Sequence, residues 1–205
     1  MIELFVSSFI TFFVVIDPPG CAPIYAGLTA GAGAAQRRAM AVRAVGVAAL
    51  ILLVFALFGE KLLKGLGIEL ASFRIAGGIM LFLIALEMVF EKRTQRREDR
   101  AANITPQEAE DVSIFPMAMP MIAGPGSIAS VMLLMARNDG LERSAIVMAA
   151  LGLNLALTLV ALLAAGPLMR LLGHKIEAVI TRLLGVLLAA LAVQFVIDGI
   201  QIQLG

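Results

Sequence analysis

The sequence predicts an all-α polytopic membrane protein with six transmembrane segments. They form two inverted three-helix repeats, the first and fourth segments being broken at Pro/Gly motifs. Three observations predict this. Apolar residues make up 60% of the 205 residues and charged ones only 15%, against about 25% charged in a soluble domain. Two of the most apolar stretches are interrupted by proline and glycine, at Asp17-Pro18-Pro19-Gly20-Cys21-Ala22-Pro23 and at Pro116-Met117-Ala118-Met119-Pro120-Met121-Ile122-Ala123-Gly124-Pro125-Gly126. Small-residue markers also recur at a nearly constant offset along the chain.

Each segment has its own justification. A span needs about 20 apolar residues, with a range of about 17–25. Stretches near 3–27, 41–59, 71–90, 112–136, 144–167 and 179–201 meet it. The first is the least regular, because Asp17 lies well inside it. The second, third and sixth carry Arg43, Arg74, Glu87 and Arg182 near their ends, where an arginine can snorkel to the interface. The fourth and fifth are free of charge over a full span. The opening Met1-Ile2-Glu3-Leu4 has neither a basic leader region nor a clear cleavage site, so the first span itself is expected to direct insertion.

Charge sets the orientation. Connections after the first, third and fifth segments hold eleven of the sixteen basic residues, and the opposite side holds Lys61, Lys64, Arg74, Arg137 and Arg143. Lysine and arginine in short loops favour the cytoplasm. Both termini are then expected on the non-cytoplasmic side. The 91–111 connection is the expected cytoplasmic basic loop, with Lys92, Arg93, Arg96, Arg97 and Arg100. Such a run beside a span reads as a topology signal rather than a nucleic-acid site.

That loop divides a single membrane domain, 1–205, into halves of three spans each, 1–90 and 112–205. Pro19-Gly20 recurs as Pro125-Gly126, Gly59 as Gly166, and Arg74-Ile75-Ala76-Gly77 as Arg182-Leu183-Leu184-Gly185. An odd number of spans per half makes the second half enter from the opposite side. Helix breaks at corresponding places in two such halves point to a central binding site near the bilayer midplane.

The breaks have a chemistry. Proline cannot donate to the helical ladder, and a freed backbone group in lipid costs several kcal/mol unless protein or water satisfies it. A helix restarting after each break would present its first amides to an anion, while unwound carbonyls would suit an ammonium group. Together these suit a small polar or zwitterionic solute at Asp17, Pro18, Pro19, Gly20, Gly124, Pro125, Gly126 and Ser127. Ser127 would either cap the restarted helix or touch the solute. Two roles are open to Asp17. Burial could raise its pKa and couple a proton to transport, or its carboxylate could accept amides from its own turn.

Asn154 and Thr158 share a helical face in the fifth segment, where interhelical hydrogen bonding competes with contact to the solute. Gln194 and Asp198 form another polar edge. Thr11 would face either the bundle or a lumen. Gly77, Gly78, Gly152 and Gly185, with Ser8, Ala22, Ala129 and Ser130, suit close helix contacts. His174 is expected in a loop. The methionines, including Met117, Met119 and Met121, suggest packing. No nucleotide loop, nucleophile–base pair or metal cluster stands out, so no enzymatic activity and no cofactor or metal are expected. The single cysteine, Cys21, excludes an intrachain disulfide.

Over nearly its whole length the chain resembles the MarC family of integral inner-membrane proteins. The resemblance rests on Asp17-Pro18-Pro19-Gly20 with Pro23, and on Pro116-Met117-Ala118-Met119-Pro120 followed by Gly124-Pro125-Gly126. The family more often has asparagine where this chain has Asp17, and leucine where it has Met117. The resemblance implies a six-span protein of the bacterial or archaeal inner membrane, related in broad architecture to LysE-type exporters. Some relatives are associated with transport of small neutral amino acids such as glycine and alanine. Secondary transport of such solutes is therefore the leading expectation, with the lipid bilayer as surroundings and no nucleic acid as partner. A scaffold or assembly factor without flux and a channel are the alternatives. Proton or cation coupling and homo-oligomerisation stay open.

Overall fold

The computed structural model describes residues 1–92, 95, 96, 99, 111–138 and 140–204, without the side chains of 168–175 and 177. Most of the expected basic loop 91–111 lies outside these residues. The described residues form helices joined by short turns. α1 spans Ile2–Ile16 and α2 spans Pro18–Leu28. α3 covers Ala34–Gly65 and α4 Leu70–Val89. After the irregular segment Ser113–Ile122 come α5, Pro125–Arg137, α6, Leu141–Leu163, and α7, Ala165–Leu204.

Local sequence explains the joints. α1 stops at Asp17, whose backbone is left-handed (φ 58°, ψ 64°), a conformation that Asp and Asn tolerate better than most residues. Pro18 and Pro19 then open α2, where a missing N–H costs nothing. The Tyr25 hydroxyl donates to the Arg37 carbonyl and ties the end of α2 to the start of α3. α3 ends at a glycine turn: Gly67 has φ 70°, and the Ile68 N–H returns to the Leu63 carbonyl at 2.9 Å. Left-handed glycine just past a helix satisfies its last carbonyls in this way.

The segment Ser113–Ile122 is not a regular helix. Phe115 and Met119 are extended (φ −125° and −130°), as expected of residues preceding proline. Wide hydrogen bonds close each side, from Met117 N–H to Val112 O at 3.3 Å and from Ala123 N–H to Ala118 O at 2.9 Å. Asp111 anchors the segment by pairing with Arg43 of α3 and accepting the Ser113 N–H at 3.0 Å. Its carboxyl is held below the usual carboxylate range, first by the neighbouring Ser113 hydroxyl and then by that amide and Arg43. The hydroxyl has no hydrogen-bond partner among the described residues, so the amide is the firmer cause.

Ile2–Leu28, α3, α4, α6 and the 178–204 part of α7 are each long and apolar enough to cross a membrane. Ser113–Ile122 and α5, bent by 52° to one another, make a sixth crossing when taken as one span. α3 is longer than the expected 41–59, and at about 1.5 Å per residue its 32 residues exceed a hydrocarbon core of roughly 30 Å. The connection expected between 167 and 179 is instead helical backbone within α7, and His174 lies there rather than in a loop.

α4 and α7 make the most extensive helix contact, and they run antiparallel. Gly78 faces Ala192 and Val196, while Gly185 faces Ala85 and Met88. A Cβ on Gly78 would stand 2.7 Å from the Ala192 carbonyl oxygen. In lipid, where burying apolar surface gains little, such close backbone approach is what holds helices together. Gly152 differs from that expectation: open space surrounds it. One apolar core joins α1, α2, α3, α5 and α6; a second joins α4 and α7 with Val14, Val15 and Leu133.

The charges near span ends are paired rather than snorkelling alone. Arg96 meets Glu87 at 2.6 Å, Arg182 meets Glu91 at 2.5 Å and Arg137 meets Asp198 at 2.9 Å. Arg74 is 9% exposed, near both Arg137 and Asp198.

Candidate functional site

A largely apolar cavity of about 440 Å³, with a few polar groups in its lining, opens at the start of α5. Gly124, Pro125, Gly126 and Ser127 form one wall, beside Pro120 and Met121. Val15 closes the α1 side. Met80, Leu83, Ile84 and Glu87 of α4 form the opposite wall, and Arg96 stands at its rim. The cavity thus lies on the seam between the two apolar cores.

Gly126 is what allows the wall to come close. A Cβ there would lie 2.7 Å from Ile84 Cδ1 and 3.2 Å from Val15 Cγ1. Gly124 similarly packs its backbone against the Pro120 carbonyl. α5 is held from several sides, with Met132 against Gly59 and Leu133 against Gly77.

The first turn of α5 is electrostatically unfinished. Pro125 has no N–H, and the first helical hydrogen bond runs from Ile128 N–H to Gly124 O at 3.0 Å. The amides of Gly126 and Ser127 precede it and reach no acceptor among the described residues. Gly124, the capping residue, has no side chain to offer, and no acidic residue stands in the first turn. Ser127 is 2% exposed, lines the cavity and makes no cap. Its hydroxyl has no hydrogen-bond partner among the described residues. Such a turn attracts an anion.

The start of α2 is finished. Asp17 is 1% exposed, and its Oδ1 accepts the Gly20 N–H at 3.1 Å. Gly20 is needed there, because a Cβ would collide with the Asp17 carboxylate. Of the two roles open to Asp17, the geometry places its carboxylate on its own turn. Asp17, Pro18, Pro19 and Gly20 do not line the cavity; Val15, two residues earlier, does.

Asn154 does not line it either. Its Nδ2 donates to the Phe9 carbonyl at 3.1 Å and the Ala150 carbonyl at 3.0 Å, and Thr158 donates to the Asn154 carbonyl at 2.8 Å. Asn154 Oδ1, Ser8 Oγ and Ser130 Oγ are buried and have no hydrogen-bond partner among the described residues. Thr11 faces the bundle, 2% exposed, and donates to the Ser7 carbonyl. Gln194 and Asp198 meet at 2.6 Å. Cys21 is buried beside the Ile16 carbonyl. Met117 and Met121 pack in the core, but Met119 is 45% exposed. By sequence Glu87 reads as a span-end charge; its lining of the cavity is what marks it out.

The profile of the MarC family integral membrane proteins matches residues 2–204. A UPF0056 membrane protein of Methanocaldococcus jannaschii is 37% identical, across 98% of this chain and 97% of its own. The UPF0056 membrane protein YvbG of Bacillus subtilis is 35% identical, across 98% and 96%. The UPF0056 inner membrane protein YhgN of Escherichia coli K12 is 34% identical, across 96% and 95%. No solved structure matches.

Proposed function

This chain belongs to the MarC family of integral membrane proteins, and on that premise we propose that it is a secondary transporter of small neutral solutes, with amino acids such as glycine or alanine as the substrate class. One observation carries the reading. Of the two half-helices that restart after a break, α2 is capped by the Asp17 carboxylate, whereas α5 is uncapped and opens on a cavity. At the repeat offset of 106, Ala123 stands where Asp17 does. A substrate carboxylate would then supply to Gly126 and Ser127 what Asp17 supplies to Gly20.

Alternating access follows from two inverted repeats meeting at that cavity. The antiparallel packing of α4 on α7, the third spans of the two halves, supports the repeat, since an inverted repeat requires its equivalent helices to run in opposite directions. The seam between two apolar cores supports relative motion, since packed bodies shift more readily than they deform. Arg96 at the rim belongs to the side richer in basic residues, so this arrangement is the cytoplasm-open one, with both termini outside the cytoplasm.

The test is counterflow of radiolabelled glycine and alanine in proteoliposomes. Saturable exchange that Gly126→Leu abolishes, in a variant whose elution and thermal unfolding match the parent, supports transport through this site. Conduction without exchange would favour a channel. Absence of flux with retained partner capture would favour a scaffold.

A further inference from the structure

The cavity has a second charged wall that the amide-bearing turn leaves unused. Glu87 lies on α4 three residues beyond Ile84, the side chain that abuts Gly126. Residues at this spacing share a helix face, and side chains lean toward the helix N-terminus. Glu87 therefore reaches back toward the level of Gly126. Its side chain is 21% exposed, and Met80, Leu83 and Ile84 surround it on the same wall. A carboxylate at such an apolar position needs a cationic partner, and in this state the partner is the Arg96 guanidinium at 2.6 Å. Arg96 is itself 58% exposed, so water can take over its hydration when it leaves.

We propose that Glu87 is the ammonium-binding residue of the cavity and that Arg96 is the cation a substrate ammonium replaces. This rests on the transport reading above and deepens it. A carboxylate one helical turn along α4 from Ile84, the side chain that abuts Gly126, shares the cavity with two unpaired amides and the Ser127 hydroxyl, and these groups suit the opposite charges of a short α-amino acid. A monocarboxylate lacking the ammonium would satisfy only the amide wall and leave Glu87 paired with Arg96. The site thereby selects amino acids over hydroxy acids. Arg96 competes with substrate: removing it weakens the closed-off state of Glu87 and leaves the carboxylate open.

The experiment is concentration-dependent counterflow of radiolabelled alanine and glycine into proteoliposomes, with unlabelled lactate as competitor. It compares wild type, Glu87→Gln and Arg96→Gln. A hydrogen bond to a charged group is strong enough that Glu87→Gln should raise KM about tenfold or more, and lactate should then compete where it did not before. Arg96→Gln should lower KM, an effect that loss of folding cannot imitate. An unchanged KM and unchanged lactate discrimination in Glu87→Gln, alongside exchange that Gly126→Leu still abolishes, would overturn this assignment and leave the transport reading standing. If the wild type exchanges neither amino acid, both fall.

Discussion

Asp17 shows how one residue is fitted to a break in a span. Its left-handed backbone turns the chain out of α1, and its carboxylate caps α2. Asparagine has the same tolerance of that backbone and keeps the acceptor oxygen. Asp17→Asn should therefore stay close to wild type in thermal unfolding in detergent, whereas Asp17→Ala should lose about 1–2 kcal/mol from the lost cap and the unfavourable backbone. A loss of equal size in both variants would mean that charge, not geometry, holds the turn. Transport by Asp17→Asn that keeps a wild-type pH dependence would end any proton-coupling role.

Among elements, the α4–α7 pair and the anchored segment 113–122 respond differently to perturbation. Gly78 lies against backbone, which cannot move aside as a side-chain tip can. Gly78→Ala should cost about 1–3 kcal/mol by overpacking and lower the unfolding temperature. Gly152→Ala, in open space, should be neutral or gain up to about 1 kcal/mol of helix propensity. Equal behaviour of the two would contradict the contact. The segment 113–122 is held at its entrance by Asp111. Because the folded pKa of Asp111 is lowered, its contribution is present above the usual carboxylate pKa of about 3.9. It is lost as pH falls through the lower folded value. Acid unfolding of Asp111→Asn should accordingly be less pH-dependent over that window. The carboxylate is 40% exposed, so the effect should be small and weaker in high salt.

For the whole molecule, the prediction concerns sidedness. The cavity should open toward the cytoplasm, on the face bearing Arg96. Ser127→Cys in a Cys21→Ser background should react with a membrane-impermeant maleimide in inside-out vesicles and be slower in right-side-out ones. Saturating alanine should slow the reaction. Labelling only from the outside would reverse the orientation inferred from the basic residues.

Membrane residence and most spans were legible in the sequence, because length and apolarity alone decide whether a helix can sit in hydrocarbon. The places where helices stop at Asp17 and restart at Pro125 were legible too, since proline geometry acts on the nearest turn. Local chemistry determined these things without reference to neighbours. Tertiary structure alone decided which groups meet. It turned Asn154 toward Phe9, left a Cβ at Gly152 nothing to meet among the described residues, carried α7 as helix through residues expected to form a loop, and brought Glu87 and Gly126 to one cavity. No periodicity encodes that Glu87 and Gly126 line one cavity or that Ile84 meets Gly126. The arrangement exists because α4, α1 and α5 pack together, and packing is a property of three helices at once.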